Sequence, residues 1–221
     1  MARWRRTNPL ALATLVTLFD ADRHPYDIAR TLRERHHDTS MRLNFGSLYS
    51  VVAALEREGF VRAADVERHG NRPERTVYRI TGEGITEARA WLRELLGRPA
   101  KEYLAFEAAL TLIGALPPDD VIDLLEQRLA LLRSQLASSI AGRHAVMDEM
   151  GLPRLFLVES EYIEALTDAE ITFVDGLVHE LRDGSFDGLE LWRSLTAGHD
   201  AVSTAGRERF PLPPHCRDVG G

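Results

Sequence analysis

The chain has 221 residues, 44% hydrophobic and 28% charged, with a formal net charge of −7 and a single cysteine, Cys216. That length and balance suit a soluble protein of one or two domains with a real core, while one cysteine excludes a disulfide framework and a thiolate metal cluster. No apolar run approaches the roughly 18 residues that cross a bilayer, and the opening Met-Ala-Arg-Trp-Arg-Arg leads into no signal-peptide apolar region, so a cytoplasmic protein without membrane contact is expected.

The charge is unevenly placed. Residues 1–100 hold 17 arginines against 13 acidic residues, whereas residues 101–221 hold 10 basic residues against 21 acidic ones. Exposed charges are screened beyond about 8 Å at physiological salt, so an acidic second half does not cancel a basic surface on the first.

In chain order, Leu10 to Phe19 is a short apolar helix with Leu12, Leu15, Val16 and Phe19 facing inward. Residues 24–37 give a second helix, with Pro25 at its first position and Ile28, Ala29 and Leu32 buried. A third helix follows in NFGSLYSVVAALEREGF, residues 44–60: Leu48, Val51, Val52 and Leu55 recur at i, i+3, i+4 and i+7, Gly46-Ser47 supplies the entry and the N-cap, and Gly59 stops it. The period then changes to 2. Residues 60–68 and 75–81 are strand-prone and flank the turn-rich HGNRPE, which predicts a hairpin. Thr81 caps a fourth helix whose stripe is Ile85, Ala88, Trp91, Leu92, Leu95 and Leu96, ending at Gly97-Arg98-Pro99.

The second half reads as helical. Tyr103 to Leu116 is apolar, and Pro117-Pro118-Asp119-Asp120 ends it and opens a long helix in which Ile122, Leu125, Leu129, Leu132, Leu136 and Ile140 follow spacings of 3, 4, 3, 4 and 4. Such a seam serves either an intramolecular core or a dimer. After Gly151-Leu152-Pro153 a further helix carries Leu155, Tyr162, Ile163, Leu166, Phe173, Leu177 and Leu181 on one side, and a short segment (186–195) closes the region. The fold class is mainly α with a small β hairpin. Its parts are a winged helix-turn-helix layout over 1–97, an α-helical domain over 98–196 that is a candidate for dimerisation through that seam, and a loose tail over 197–221.

Three helices followed by a hairpin is the layout in which the third helix enters the major groove of double-stranded DNA and the hairpin, or wing, lies against the neighbouring backbone. Such a helix needs first turns free of bulk and negative charge while its far side anchors in the core. Ser47, Tyr49, Ser50, Ala53 and Arg57 meet that requirement, with Asn44 at the entry. Arg68, Arg72 and Arg75 cluster at the hairpin tip, where they meet either phosphate or only solvent. Arg3, Arg5 and Arg6 are either a minor-groove arm or a loose terminus.

At these residues the sequence resembles the PadR family of transcriptional regulators. The resemblance rests on His24-Pro25-Tyr26-Asp27-Ile28, on Gly46-Ser47-Leu48-Tyr49 with Leu55 to Val61 behind it, and on Gly70-Asn71-Arg72-Pro73 followed by Val77 to Thr81. It implies a cytoplasmic homodimer joined by its C-terminal helices, commonly a repressor released by a small molecule. By the same resemblance Tyr26 and Tyr49 contact phosphate, Ser47 and Ser50 lie at the DNA-facing start of the recognition helix, and Arg72 sits at the wing tip. Pro25, Ser50 and Glu74 depart from the usual glycine, proline and basic residue.

A dimer holding two copies about 34 Å apart reads a palindromic operator. Trp91, Tyr103 and Phe106 are candidates for lining a site for a small aromatic effector, with Tyr162, Phe173 and Trp192 elsewhere in the helical half; ordinary core packing is the competing reading of each. His36-His37 with Asp38 lacks a second cluster at ligand spacing, so no metal and no cofactor is expected. No catalytic constellation is recognisable, so no enzyme is expected. The alternative to a ligand-responsive repressor is a winged-helix protein-interaction adaptor without specific DNA binding.

Overall fold

The computed structural model describes residues 6–37, 41, 45–67 and 75–201, without the side chains of 45, 65–67, 75 and 198–201. Its elements are α1 (Pro9–Thr17), α2 (Pro25–Glu34), α3 (Phe45–Arg57), β1 (Val61–Glu67), β2 (Arg75–Ile80), α4 (Gly82–Gly97), α5 (Ala105–Thr111), α6 (Pro118–Met150), α7 (Val158–Asp183) and α8 (Leu189–Ala201). Short 3-10 turns follow α5 (Ile113–Ala115) and precede α7 (Arg154–Phe156). The chain divides into two compact units, Met1–Glu102 and Tyr103–Gly221.

In the first unit, Asn8 accepts the Leu10 amide at 3.1 Å and Pro9 takes the first helical position, so α1 begins at Pro9 and ends at Thr17. Phe19 therefore lies past the helix and is exposed, against the expectation that it faces inward. The residue His36 adopts a left-handed φ of 57° just past α2, so it serves the chain as a turn; Asp38 lies outside the described residues.

The stripe of α3 packs as its spacing requires. Leu48 and Leu55 are fully buried against α1 and α2, where truncation to alanine costs about 2–5 kcal/mol each. The α3 helix starts at Phe45, so Ser47 is within its first turn and is not the N-cap. Gly59, at φ 78°, ends it, and the Phe60 amide reaches back to the Leu55 carbonyl at 2.9 Å.

The strands β1 and β2 pair antiparallel from Val61 opposite Ile80 to Glu67 opposite Arg75, with a bulge between Ala63 and Asp65. One further pair ties this hairpin to the helices: Arg23, before α2, exchanges backbone hydrogen bonds with Tyr78 at 3.0 and 2.9 Å. Thr81 caps α4 by accepting the Gly84 amide at 3.0 Å while its hydroxyl donates to the Gly59 carbonyl at 2.7 Å. Ala88 and Trp91 enter the core, but Leu95 and Leu96 at the end of the predicted stripe are exposed.

In the second unit the apolar stretch from Tyr103 is broken into α5 and a 3-10 turn, because Gly114 is a poor helix former and Pro117-Pro118 cannot continue one. The long helices α6 and α7 form an antiparallel hairpin around Gly151, at φ 60°. The ion pairs between them run in opposite order along the two helices: Glu126 with Arg182, Arg133 with Asp175, Arg143 with Glu164. The N-terminal part of the α6 seam is thus intramolecular, with Leu125 and Leu129 buried in one cluster with Val174, Val178 and Leu181, while Leu132, Leu136 and Ile140 are half-buried.

The helix α7 departs from the reading of a single apolar side. Glu164, Val174, Val178 and Leu181 are buried, whereas Tyr162, Leu166 and Phe173, about half a turn away around the helix, are exposed. The buried Glu164 accepts from Arg143 Nε at 2.9 and 3.1 Å and from the Ser139 hydroxyl at 3.0 Å, and the guanidinium holds its carboxyl below the usual glutamate range. Trp192 anchors α8 through its indole N–H, which donates to the Leu116 carbonyl at 2.8 Å. The α8 helix continues to Ala201, into the segment expected to be a loose tail from 197.

Candidate nucleic-acid interface

The first unit leaves one face of α3 bare. Ser47, Tyr49, Ser50, Ala53 and Arg57 are all exposed, opposite the buried Leu48, Val51, Val52 and Leu55. The Ser50 hydroxyl donates back to the Gly46 carbonyl at 3.3 Å and is exposed. The one acidic residue on this helix, Glu56, comes at its C-terminal end, so its first turns offer hydroxyls and backbone amides at the positive end of the helix dipole.

Two phenols, one on that face and one on α2, are half-exposed. Tyr26 on α2 and Tyr49 on α3 are each 50% exposed. Between them lies His24. Its Nδ1 accepts the Tyr26 amide at 3.1 Å, capping α2, and its ring meets that of Tyr49 edge to face, with centroids 6.1 Å apart and planes at 73°. The sequence signal for this residue was available, because Pro25 at the first helical position makes position 24 the N-cap.

The base of the wing is fixed by charge. Arg62 and Arg79 stand directly opposite in the register, an arrangement of like charges that is unfavourable by itself. Asp22 offsets it: Arg79 Nε donates to both of its carboxylate oxygens at 2.8 and 3.0 Å, and this holds the carboxyl below the usual aspartate range, with Arg62 adding to the effect. Of the predicted wing contacts, Arg68 and Arg72 lie outside the described residues, and Arg75 opens β2 with its side chain outside that description. Asn44 also lies outside it.

Other sequence candidates are placed elsewhere. Arg6 does not reach outward as an arm: its guanidinium forks onto both oxygens of Glu87 at 2.7 and 2.8 Å and reaches Glu94 at 2.5 Å, and these carboxylates raise its pKa further. Arg3 and Arg5 lie outside the described residues. Trp91 is a core residue of the first unit, 1% exposed, so it offers no surface to an effector. In the second unit Tyr103 is exposed, and Phe106 is half-buried beneath the Arg128 guanidinium, 3.8 Å from the ring centroid. A shallow hollow of about 220 Å³ there is lined by Pro117, Pro118, Asp119, Arg193, Thr196 and Ala197. It contains none of the aromatic candidates and is smaller than the roughly 300 Å³ at which small-molecule pockets begin. Among the described residues no group of three metal-ligating side chains gathers, and no helix is long and apolar enough to cross a membrane.

Residues 14–90 match the model of the transcriptional regulator PadR-like family. No curated protein matches the chain. Among solved structures, PadR from Bacillus subtilis in complex with operator DNA is 17% identical with a TM-score of 0.64, covering 79% of this chain and 99% of that one. The same Bacillus subtilis protein in complex with p-coumaric acid gives 16% identity and a TM-score of 0.64, over 78% and 98% of the two chains. The PadR-like transcriptional regulator BC1756 from Bacillus cereus gives 16% identity and a TM-score of 0.54, over 79% and 99%. At these identities the likeness is one of fold.

Proposed function

We propose that this chain, which carries a PadR-like domain over residues 14–90, is a sequence-specific DNA-binding transcriptional regulator. The observation that carries the reading is the bare face of α3, with Ser47, Tyr49, Ser50 and Arg57 exposed along it and Tyr26 half-exposed on α2. A major groove accepts a helix of this kind, with side chains reaching base edges and the two phenols donating to phosphate oxygens. The fold likeness to a Bacillus subtilis protein held on operator DNA supports the same reading.

The finer proposal is a homodimeric repressor on a palindromic operator, released by a small aromatic molecule. Support for the dimer comes from α7, whose Tyr162, Leu166 and Phe173 are 62%, 50% and 54% exposed on one face. An apolar face of that extent on a soluble protein marks a contact surface, and a two-fold copy of the same helix is self-complementary to it. Support for the effector comes from the fold likeness to PadR bound to p-coumaric acid. The decisive experiment is binding of the purified chain to the DNA upstream of its own coding sequence as salt rises. With about six phosphates neutralised, affinity falls roughly a thousandfold between 50 and 200 mM salt. Salt-independent binding, or equal binding to unrelated duplex, overturns the proposal.

A further inference from the structure

We infer that His24 is a positioning residue for DNA binding, holding Tyr26 and Tyr49 together in the orientation in which a duplex meets them. This rests on the reading of α3 as the DNA-facing helix. The imidazole serves both tyrosines through different atoms. Its Nδ1 accepts the Tyr26 amide at 3.1 Å, which fixes the start of α2 and hence the direction in which the Tyr26 side chain leaves the helix. The same hydrogen bond assigns the imidazole proton to Nε2 and orients the ring. So oriented, the ring meets Tyr49 edge to face, 6.1 Å between centroids and 73° between planes.

Tyr49 is 50% exposed on the outer side of α3, where the His24 ring is an aromatic partner that meets it. A half-exposed tyrosine free to change rotamer loses that freedom when it docks on a phosphate. Ordering it beforehand is worth about two- to tenfold in affinity per side chain. His24 thus ties the N-terminus of one helix to the outer face of the next, across the two elements that a helix-turn-helix must keep in register on the DNA.

The test separates the cap from the ring. His24→Asn keeps a good N-cap acceptor and removes the ring; His24→Ser does the same, and carries the same expectation should the asparagine variant fail to fold. The probe is the duplex that the wild-type chain enriches from a randomised library, with affinity measured across a salt series alongside thermal unfolding. The expected result is an unchanged melting temperature, a loss of about two- to tenfold in affinity, and a salt slope equal to wild type because no cation has been removed. In the same variant, Tyr49→Ala costs less than it does in the wild-type background. Wild-type affinity in both cap-competent variants overturns the inference, as does full additivity with Tyr49→Ala. A salt slope reduced by about one charge also overturns it, since His24 would then be a phosphate ligand itself. Absence of any salt-dependent duplex binding by the wild-type chain overturns the functional reading together with this one, whereas the other adverse results leave the functional reading standing.

Discussion

Arg79 on β2 grips Asp22 in the turn between α1 and α2, donating from Nε to both carboxylate oxygens and from Nη2 to Oδ2 at 2.5 Å. Next to it the Arg23 and Tyr78 backbones close the only pair of hydrogen bonds by which the turn joins the wing in strand fashion among the described residues. Among the described residues the wing is therefore joined to the α1–α2 turn by a backbone bridge and an ion pair, in addition to the packing of Val61, Tyr78 and Ile80 on the helical core. Asp22→Ala is expected to change global stability by no more than about 1 kcal/mol, since both partners are partly solvated. Hydrogen exchange at the Tyr78 and Arg23 amides is expected to quicken well ahead of α3 amides. Equal exchange in the variant and wild type contradicts the attachment.

The same pair predicts an acid response. The Asp22 carboxyl sits below its ordinary value in the folded state, first because Arg79 hydrogen-bonds it. A depressed carboxyl stabilises the fold fully above its unfolded value and loses that contribution as pH falls through the folded value. Wing amides are thus expected to lose protection only as pH falls below the ordinary aspartate range, and Asp22→Asn is expected to remove this step. A titration followed by NMR reads it directly.

At Gly84 an added Cβ meets the Phe60 carbonyl oxygen at 2.1 Å and Ile80 Cγ1 at 2.8 Å. Backbone at that distance cannot step aside as a flexible side chain does, so Gly84→Ala is expected to destabilise the first unit by about 1–3 kcal/mol or more. Gly82→Ala, with nothing within 4 Å of its added carbon, is the control and is expected to be neutral or stabilising. Thermal unfolding of the two variants distinguishes them; similar melting temperatures count against the close approach.

Arg57 is exposed at the end of α3. Arg57→Ala is expected to weaken operator binding while leaving the melting temperature within the range of ordinary surface changes, about 0.5 kcal/mol in stability. A collapse in melting temperature identifies a structural role instead.

Phe173→Glu places a charge in the exposed face of α7. Sedimentation is expected to show a shift from dimer to monomer with helical content retained, because the substituted side chain is 54% exposed within its own chain. An unchanged dimer, or a monomer already in the wild type, rules out this face as the contact between copies.

The sequence determined the elements of the first unit closely, because each was announced by a local rule. Leu48, Val51, Val52 and Leu55 have a helical period that fits only one buried face, and the turn-rich stretch between two strand-prone runs fits only a hairpin. The exposed face of α3 was legible for the same reason, as the complement of a buried stripe. What the tertiary structure alone decided were relations between residues far apart in the chain. Periodicity says which side of α7 is apolar but not which of two apolar sides meets α6, so Tyr162, Leu166 and Phe173 face outward while Glu164 is buried with Arg143. Trp91 was legible both as a core position on the α4 stripe and as an effector contact, and Arg6 as either an arm or a loose terminus; neighbours from other elements decided the outcome, a packed core for Trp91 and Glu87 with Glu94 for Arg6. Local hydrogen bonding and side-chain period are written in neighbouring residues, whereas burial and charge pairing are set only when the elements pack.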